Sequence, residues 1–461
     1  MINYFNFKRM GEKFLLTNDF GRYIFLSAEE FRNLYIENLD NEEIKKHIEE
    51  AGFWFETSEN FFTENNKFQL REAKNYLFQS TQLHIFVVTT ACNMKCVYCQ
   101  AQNGKTLSNG YMTKEIAKKS VEIALQSPSK NLQFEFQGGE PLLNFEIIKY
   151  IVEYTKENAR NKNIQYSLVS NLTILTEEIL EFLCENNIGI STSVDGDLFL
   201  HNANRPLKTG GETFEIVKDK IFYIQSKGIY VGAIQTTTKE SLDKYIQIID
   251  TYKELGFDNI LLRPLTPLGC AEKNWNEIGY TAEEFVDFYK KAFRYLIEIN
   301  KKGYKMKEGI AAVFLKKILQ GYSENYMELR SPCGAAMGQM AYYYNGNVYT
   351  CDEGRMLAEM GNSAFCLGSA LKNDYNELMD SRVCKAACSA SILESLPSCS
   401  DCVYQPYCGV CPVVNFALYG DTYERQPNGY RCTINKGILD IIFSYLKDND
   451  ESIINILRSW I

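Results

Sequence analysis

The run HIFVVTTACNMKCVYC, residues 84–99, decides the fold. Its first part, His84 to Thr89, is apolar and β-branched almost without a break, the mark of a strand covered on both faces of a sheet. Its second part, Cys92-Asn93-Met94-Lys95-Cys96-Val97-Tyr98-Cys99, puts three cysteines on one tight loop with the spacing C-x3-C-x2-C. A strand that empties into a thiol-bearing loop predicts a βα unit whose chemistry lies past the C-terminal end of the strand.

Working outward, strand and helix signals alternate from His84 to about Lys302 with a repeat of roughly 35 residues, which predicts a parallel sheet. Six strands are expected, over His84–Thr89, Leu132–Gln137, Gln165–Ser170, Gly189–Val194, Tyr230–Thr236 and Asp258–Pro264. Helical windows separate them, among them Lys114–Leu125, Phe145–Asn158, Glu177–Asn186, Phe214–Lys227 and Leu242–Glu254. The fold class is therefore α/β, a partial (β/α)6 TIM barrel. Ahead of it, short aromatic stretches at Tyr4–Phe7, Phe14–Thr17 and Tyr23–Leu26 precede two helices, one opened by the capping box of Ser27 and Glu30 and one by Asn41. The polar stretch Thr57–Asn66 reads as a linker. Beyond Cys333, Asn345-Gly346-Asn347 between aromatic runs predicts a hairpin. The expected division is a module over residues 1–75, a core over 80–305, a cysteine-rich region over 306–435 and a C-terminal helix over 436–461.

The chain has 461 residues, with 49 Lys and Arg against 58 Asp and Glu, giving a net charge of −9. That balance offers no general attraction to nucleic acid. No window of about 18 apolar residues occurs and the first residues lack an export signal, so no membrane partner and a cytoplasmic location are expected. Fifteen cysteines then stand out. In a reducing compartment clustered cysteines bind metal more often than they form disulfides.

Three thiolates on one loop can hold three irons of a [4Fe–4S] cluster and leave the fourth open to a ligand. Here the sequence resembles the radical S-adenosylmethionine (SAM) superfamily, and the resemblance implies that Cys92, Cys96 and Cys99 carry a cluster that cleaves SAM to a 5′-deoxyadenosyl radical. Further matches imply SAM contacts: Gln137-Gly138-Gly139-Glu140-Pro141 resembles the family's GGEP turn, Asn171 follows the third strand, and Ser193 and Asp195 end the fourth. Tyr98 within the cysteine loop joins the cofactor-binding set, and Arg263 at the end of the sixth strand is read as a SAM or substrate contact or as a simple salt bridge. His201 and Arg205, with Gly210, Gly211 and Thr213, resemble a stretch of anaerobic sulfatase-maturating enzymes, although Asn202 stands where that family carries an acid. Their role stays open between a functional one and that of surface loop residues.

The C-terminal pattern Cys333-x12-Gly346-x4-Cys351, then Cys399-x2-Cys402-x5-Cys408-x2-Cys411, then Cys432, resembles a SPASM domain. The resemblance implies two auxiliary [4Fe–4S] clusters, one on Cys333, Cys351 and Cys411 and one on Cys399, Cys402, Cys408 and Cys432. The quartet ends in x2 where the family has x3. The first cluster lacks an evident fourth ligand, for which Cys270, Cys366, Cys384, Cys388 or an open position are the options. A zinc ribbon built from Cys399, Cys402, Cys408 and Cys411 is the alternative for the quartet. Asp352 matches a position where sulfatase-maturating relatives carry a general base, and a hairpin hydrogen bond is its other reading.

The first 75 residues resemble the winged helix-turn-helix modules by which peptide maturases hold a precursor's leader as an added strand. The run Leu16–Ser27 is also similar to maturases of the His-Xaa-Ser type. The resemblances together imply a radical SAM maturase of a ribosomal precursor peptide, with three [4Fe–4S] clusters, SAM, a flavodoxin or ferredoxin-type electron donor, and room for a second maturase alongside. A sulfatase-maturating enzyme and a non-catalytic iron–sulfur carrier or scaffold are the alternatives. The peptide, the modified residue, the bond formed and the oligomeric state are not legible.

Overall fold

A computed structural model describes residues 1–57, 59, 63–102, 110–321, 325–424, 427 and 429–461. The six expected strands are present as β4 (Leu83–Thr89), β5 (Asn131–Gly138), β6 (Asn163–Val169), β7 (Ile188–Ser193), β8 (Val231–Thr236) and β9 (Asn259–Arg263), each parallel to its neighbour. In β5 the apolar Leu132, Phe134 and Phe136 are buried in the main core, while Glu135 and Gln137 face the barrel cavity. The alternation sorts helix-facing from cavity-facing side chains.

The sheet extends beyond the expected six strands. At one end the short β10 (Lys307–Glu308) runs parallel to β9, and buried Glu308 accepts hydrogen bonds from the Leu262 and Ala311 amides at 3.1 and 2.7 Å. At the other end the predicted hairpin exists as β11 (Gln339–Tyr342) and β12 (Asn347–Tyr349), followed by β13 (Cys366–Ser369). β11 lies parallel to β4, with Ala341 opposite Ile85, so ten strands form one sheet in the order β10-β9-β8-β7-β6-β5-β4-β11-β12-β13. The cysteine-rich region is thus continuous with the barrel.

The N-terminal module has the expected order: the antiparallel sheet β1 (Asn6–Met10), β2 (Lys13–Thr17) and β3 (Tyr23–Ser27), then helices Ala28–Tyr35 and Glu42–Glu50. Both capping boxes or caps named from sequence, Ser27 with Glu30 and Asn41, are formed. A third helix, Glu64–Ala73, begins inside the stretch read as a linker, and residues 58 and 60–62 of that stretch lie outside the described residues. The module is bonded to the cysteine-rich loops. Asn6 Nδ2 donates to the carbonyls of Ser400 and Cys402 at 3.0 and 3.2 Å, Thr17 Oγ1 donates to Val403 O at 2.6 Å, and the Tyr407 hydroxyl donates to Gly21 O at 3.1 Å.

A long helix begins at Tyr430 and runs to Asp448, so a boundary at residue 436 would cut it, and a further helix follows over Glu451–Ser459. Its Tyr445 and Trp460 beyond it both pack on Phe293 of the helix Ala282–Lys301, while Phe443 meets Tyr23 and Phe25 of β3. This helix joins barrel and N-terminal module. Among the described residues no helix is long and apolar enough to cross a membrane.

Candidate active site

A cavity of about 370 Å³ opens at the C-terminal ends of the barrel strands. Cys92, Cys96 and Cys99 line it, as do Tyr98, Gln137, Gly138, Gly139, Asn171, Ser193, Arg205, Arg263 and Asp352. Residues separated by up to 260 positions in sequence are gathered here because most of them end or follow strands of one sheet.

The loop holding the three cysteines is pinned from several sides. The Lys95 and Val97 amides donate to the carbonyls of Pro206 and Asn204 at 2.8 and 2.9 Å, and Cys99 N donates to Cys96 O at 3.2 Å. Burial raises all three thiols, Cys92 to about 11, and the neighbouring sulfurs add to the effect at Cys92 and Cys99. Thiols that disfavour one another's ionisation when bare become thiolates when a cation sits among them. This donor set fits an iron–sulfur cluster bound by three protein thiolates.

The glycine turn has an internal reason as well. A Cβ at Gly138 would strike the Thr89 carbonyl oxygen, and one at Gly139 would strike that of Ala91. The bare backbone is needed first for the approach to the end of β4, where Gly139 N donates to Thr89 O at 2.9 Å and Glu140 N to Ala91 O at 2.7 Å. Glu140 does not border the cavity. Its buried carboxylate accepts from Asn171 N and Ser170 Oγ, both at 2.8 Å, and from Leu142 N at 3.1 Å, and burial raises it to about 7.

Asp195 likewise sits behind the wall. Its Oδ2 accepts from the Tyr98 hydroxyl at 2.6 Å and from Arg205 Nε at 3.0 Å, and the Arg205 guanidinium lies 5.1 Å over the Tyr98 ring. Burial opposes the charge on Arg205, but Asp195, Tyr98 and Cys96 outweigh it and keep the guanidinium protonated. The triad fixes Tyr98 between two of the cysteines. His201 is fully buried against Phe214, has neither ring nitrogen hydrogen-bonded, and is lowered to about 4 by burial, so it is a neutral packing residue outside the cavity.

Asp352 reaches the cavity from the segment after β12, where Arg355 Nε donates to its Oδ1 at 2.7 Å. Arg355 is 1% exposed and also faces Gln137 Oε1 at 3.5 Å, while Gln137 Nε2 donates to Glu135 Oε1 at 2.5 Å. Burial raises Glu135, with Asp352 adding to it against the Gln137 hydrogen bond. Glu135 and Arg355 were not singled out from sequence. The Gln133, Glu135, Gln137 alternation in β5 was the available signal for Glu135, whereas nothing local distinguishes Arg355.

The remaining cysteines fall into two groups. Cys333 and Cys351, both buried, pack with Cys411 among Ala335, Leu357, Phe365 and Val413. Cys351 and Cys411 are each the first residue before a helix, Asp352–Glu359 and Pro412–Tyr419, where helix dipoles favour thiolate. Burial raises these three, Cys333 to about 12, and Glu353 contributes to each. Cys399, Cys402, Cys408 and Cys432 surround a space of about 30 Å³, and the sulfurs act on one another electrostatically. Cys411 borders the same space, yet its sulfur neighbour is Cys333, a grouping that differs from a four-cysteine zinc ribbon. Of the options for a fourth ligand, Cys270 N donates to Cys99 O at 2.9 Å beside the first loop, Cys366 Sγ points to Gly368 O, and Cys388 Sγ meets Met337 Sδ at 3.1 Å on the helix whose Ala387 packs with Cys333 and Cys351.

A parallel barrel with three thiols at its mouth defines a class, and residues 86–239 match the family model of the Radical SAM superfamily. The chain contains a radical SAM domain over these residues and is an enzyme. It is 28% identical over 313 residues to an uncharacterized protein of Methanocaldococcus jannaschii, covering 66% of this chain and 94% of that one. It is 27% identical over 274 residues to a cysteine-type anaerobic sulfatase-maturating enzyme of Clostridium perfringens, covering 57% and 72%. The fold is similar to that of native anSMEcpe with bound AdoMet (TM-score 0.70, 22% identity, 82% of this chain and 99% of that chain). It is also similar to Streptococcus suis SuiB bound to precursor peptide SuiA (TM-score 0.55, 16% identity, 92% and 98%).

Proposed function

We propose that this enzyme is a maturase that installs a crosslink or thioether in a ribosomal precursor peptide. The observation that carries the reading is the shared cavity: the three-cysteine loop of the barrel and Asp352 of the cysteine-rich region face one space. Cys92, Cys96 and Cys99 would hold the catalytic [4Fe–4S] cluster, with Gly138, Gly139, Asn171, Ser193, Tyr98, Arg205 and Arg263 bordering the room for SAM. Glu140 and Asp195 serve from behind, one by accepting from the Asn171 and Leu142 amides and the Ser170 hydroxyl and the other by fixing Tyr98 and Arg205. Cluster and SAM together supply, when bound, a radical able to take hydrogen from a peptide. Asp352, oriented by Arg355, accepts the proton that the oxidised substrate position releases. Cys333, Cys351 and Cys411, and separately Cys399, Cys402, Cys408 and Cys432, would hold two auxiliary clusters as the electron exit.

The N-terminal module favours a leader-bearing peptide. Among the described residues β1 and β3 each pair with β2 alone, which leaves an edge for strand addition, and the likeness to SuiB spans 92% of the chain against 82% for the sulfatase-maturating fold. A flavodoxin or ferredoxin-type donor in the cytoplasm suits fifteen cysteines without a disulfide. The test is anaerobic incubation of reconstituted enzyme, SAM and dithionite with leader–core peptides and, in parallel, with sulfatase-derived peptides. Leader-dependent loss of a pair of hydrogens supports the reading. Formylglycine on the sulfatase peptide, independent of residues 1–75, would replace it with the sulfatase-maturating alternative.

A further inference from the structure

The three-thiol group of Cys333, Cys351 and Cys411 is one donor short of a four-ligand site, and the fold puts an oxygen donor beside it. We propose that a carboxylate oxygen of Glu353 is the fourth protein ligand of this site. The inference rests on the reading that these thiols hold an auxiliary cluster.

Placement is the first argument. Cys351 precedes the helix Asp352–Glu359 and its Sγ accepts the Gly354 amide at 3.3 Å, so Glu353 lies in the same helical turn as a ligand sulfur. Its carboxylate lies within electrostatic reach of all three thiols, and its ion pair with Arg263 Nη2, a cavity residue, is long, 3.7 Å. Glu328 also lies within electrostatic reach of Cys333 and Cys411, but Arg431 Nη1 holds it at 3.1 Å and Arg431 is held in turn by Thr266 Oγ1 at 3.3 Å. Glu353 is the less engaged of the two acids.

Elimination is the second argument. Cys270 belongs to the neighbourhood of Cys99 and Cys366 to the β12–β13 ladder, Cys384 feels Cys388 and none of the three thiols, and Cys388, on the helix whose Ala387 packs with Cys333 and Cys351, has its Sγ on Met337 Sδ at 3.1 Å. Charge is the third. Three thiolates and a carboxylate around one cluster carry excess negative charge in an apolar setting, and Arg263 and Arg431 are the cations that flank it. A carboxylate binds iron less tightly than a thiolate. This iron would therefore exchange its protein ligand more readily than those on cysteine.

The test uses the full-length Cys92→Ala/Cys96→Ala/Cys99→Ala chain, reconstituted anaerobically, so that only the auxiliary sites bind iron. Cyanide is the probe, read by electron paramagnetic resonance of the reduced protein. The proposal expects the parent to resist cyanide, Glu353→Ala to admit it at one cluster, and Glu353→Cys to restore resistance with a changed signal at unaltered iron content. Cyanide binding to the parent, or a Glu353→Ala spectrum indifferent to cyanide, overturns it. If Glu353→Ala does not fold, an unchanged signal in Glu353→Cys overturns it alone. Cys351→Ala separates the two levels: loss of about four irons upholds the auxiliary cluster whatever Glu353 does, and no loss of iron removes both.

Discussion

The two cysteine-bearing regions handle burial in opposite ways. Cys92, Cys96 and Cys99 are partly exposed and face a cavity ringed by glycine, asparagine, serine and arginine, whereas Cys333 and Cys351 are 4% and 2% exposed among alanine, leucine, valine and phenylalanine. The first setting admits a polar ligand next to the thiols, and the second excludes water from them. On the proposed function, the difference would separate a site where molecules are exchanged from one through which only electrons need to pass.

The largest test of that contrast is the Cys92→Ala/Cys96→Ala/Cys99→Ala variant. It should form no 5′-deoxyadenosine from SAM under dithionite while keeping the iron of the other sites, as read by chromatography and iron analysis. Residual SAM cleavage would break the comparison. Cys351→Ala should do the reverse, losing about four irons yet retaining reductive SAM cleavage within an order of magnitude.

A smaller effect concerns the scaffold of the open site. The Asp195–Arg205 pair is buried, and Asp195→Ala leaves the guanidinium without its partner, at a cost of about 3–5 kcal/mol. Urea unfolding should report a midpoint lowered accordingly, and an unchanged midpoint would mean that water already reaches Arg205. The smallest effect is a pH dependence. His201 is neutral in the fold because burial lowers it from 6.5 to about 4, so the unfolded chain binds its proton first as the solution is acidified. Its contribution to stability is complete above pH 6.5 and is lost as pH falls towards 4, by up to about 3 kcal/mol. His201→Phe should flatten that decline in urea midpoints between pH 7 and 5 and leave SAM cleavage intact.

The barrel was legible because each of its strands carries a local signal. Leu83–Thr89 is buried along nearly its whole length, and the glycine turn and cysteine loop follow strands of matching register. The pairing of β11 with β4 was not, since the hairpin shows its turn but nothing in Gln339–Tyr342 specifies a partner some 250 residues earlier. Glu140 and Asp195 were located at the correct strand ends, but sequence does not reveal that their oxygens are consumed by the protein's own donors. The helix start at Tyr430 was missed because it carries no side-chain cap: Gly429 precedes it and no acidic residue stands in the first turn.

β4 carries the catalytic loop, and an open barrel of six parallel strands would leave it as the outermost one. Covering by β11 makes it an interior strand. A chain that stopped before Gln339 would present Leu83–Thr89, an apolar ribbon of unpaired amides and carbonyls, to any passing strand. The cysteine-rich region therefore also covers what would otherwise be the barrel's exposed edge.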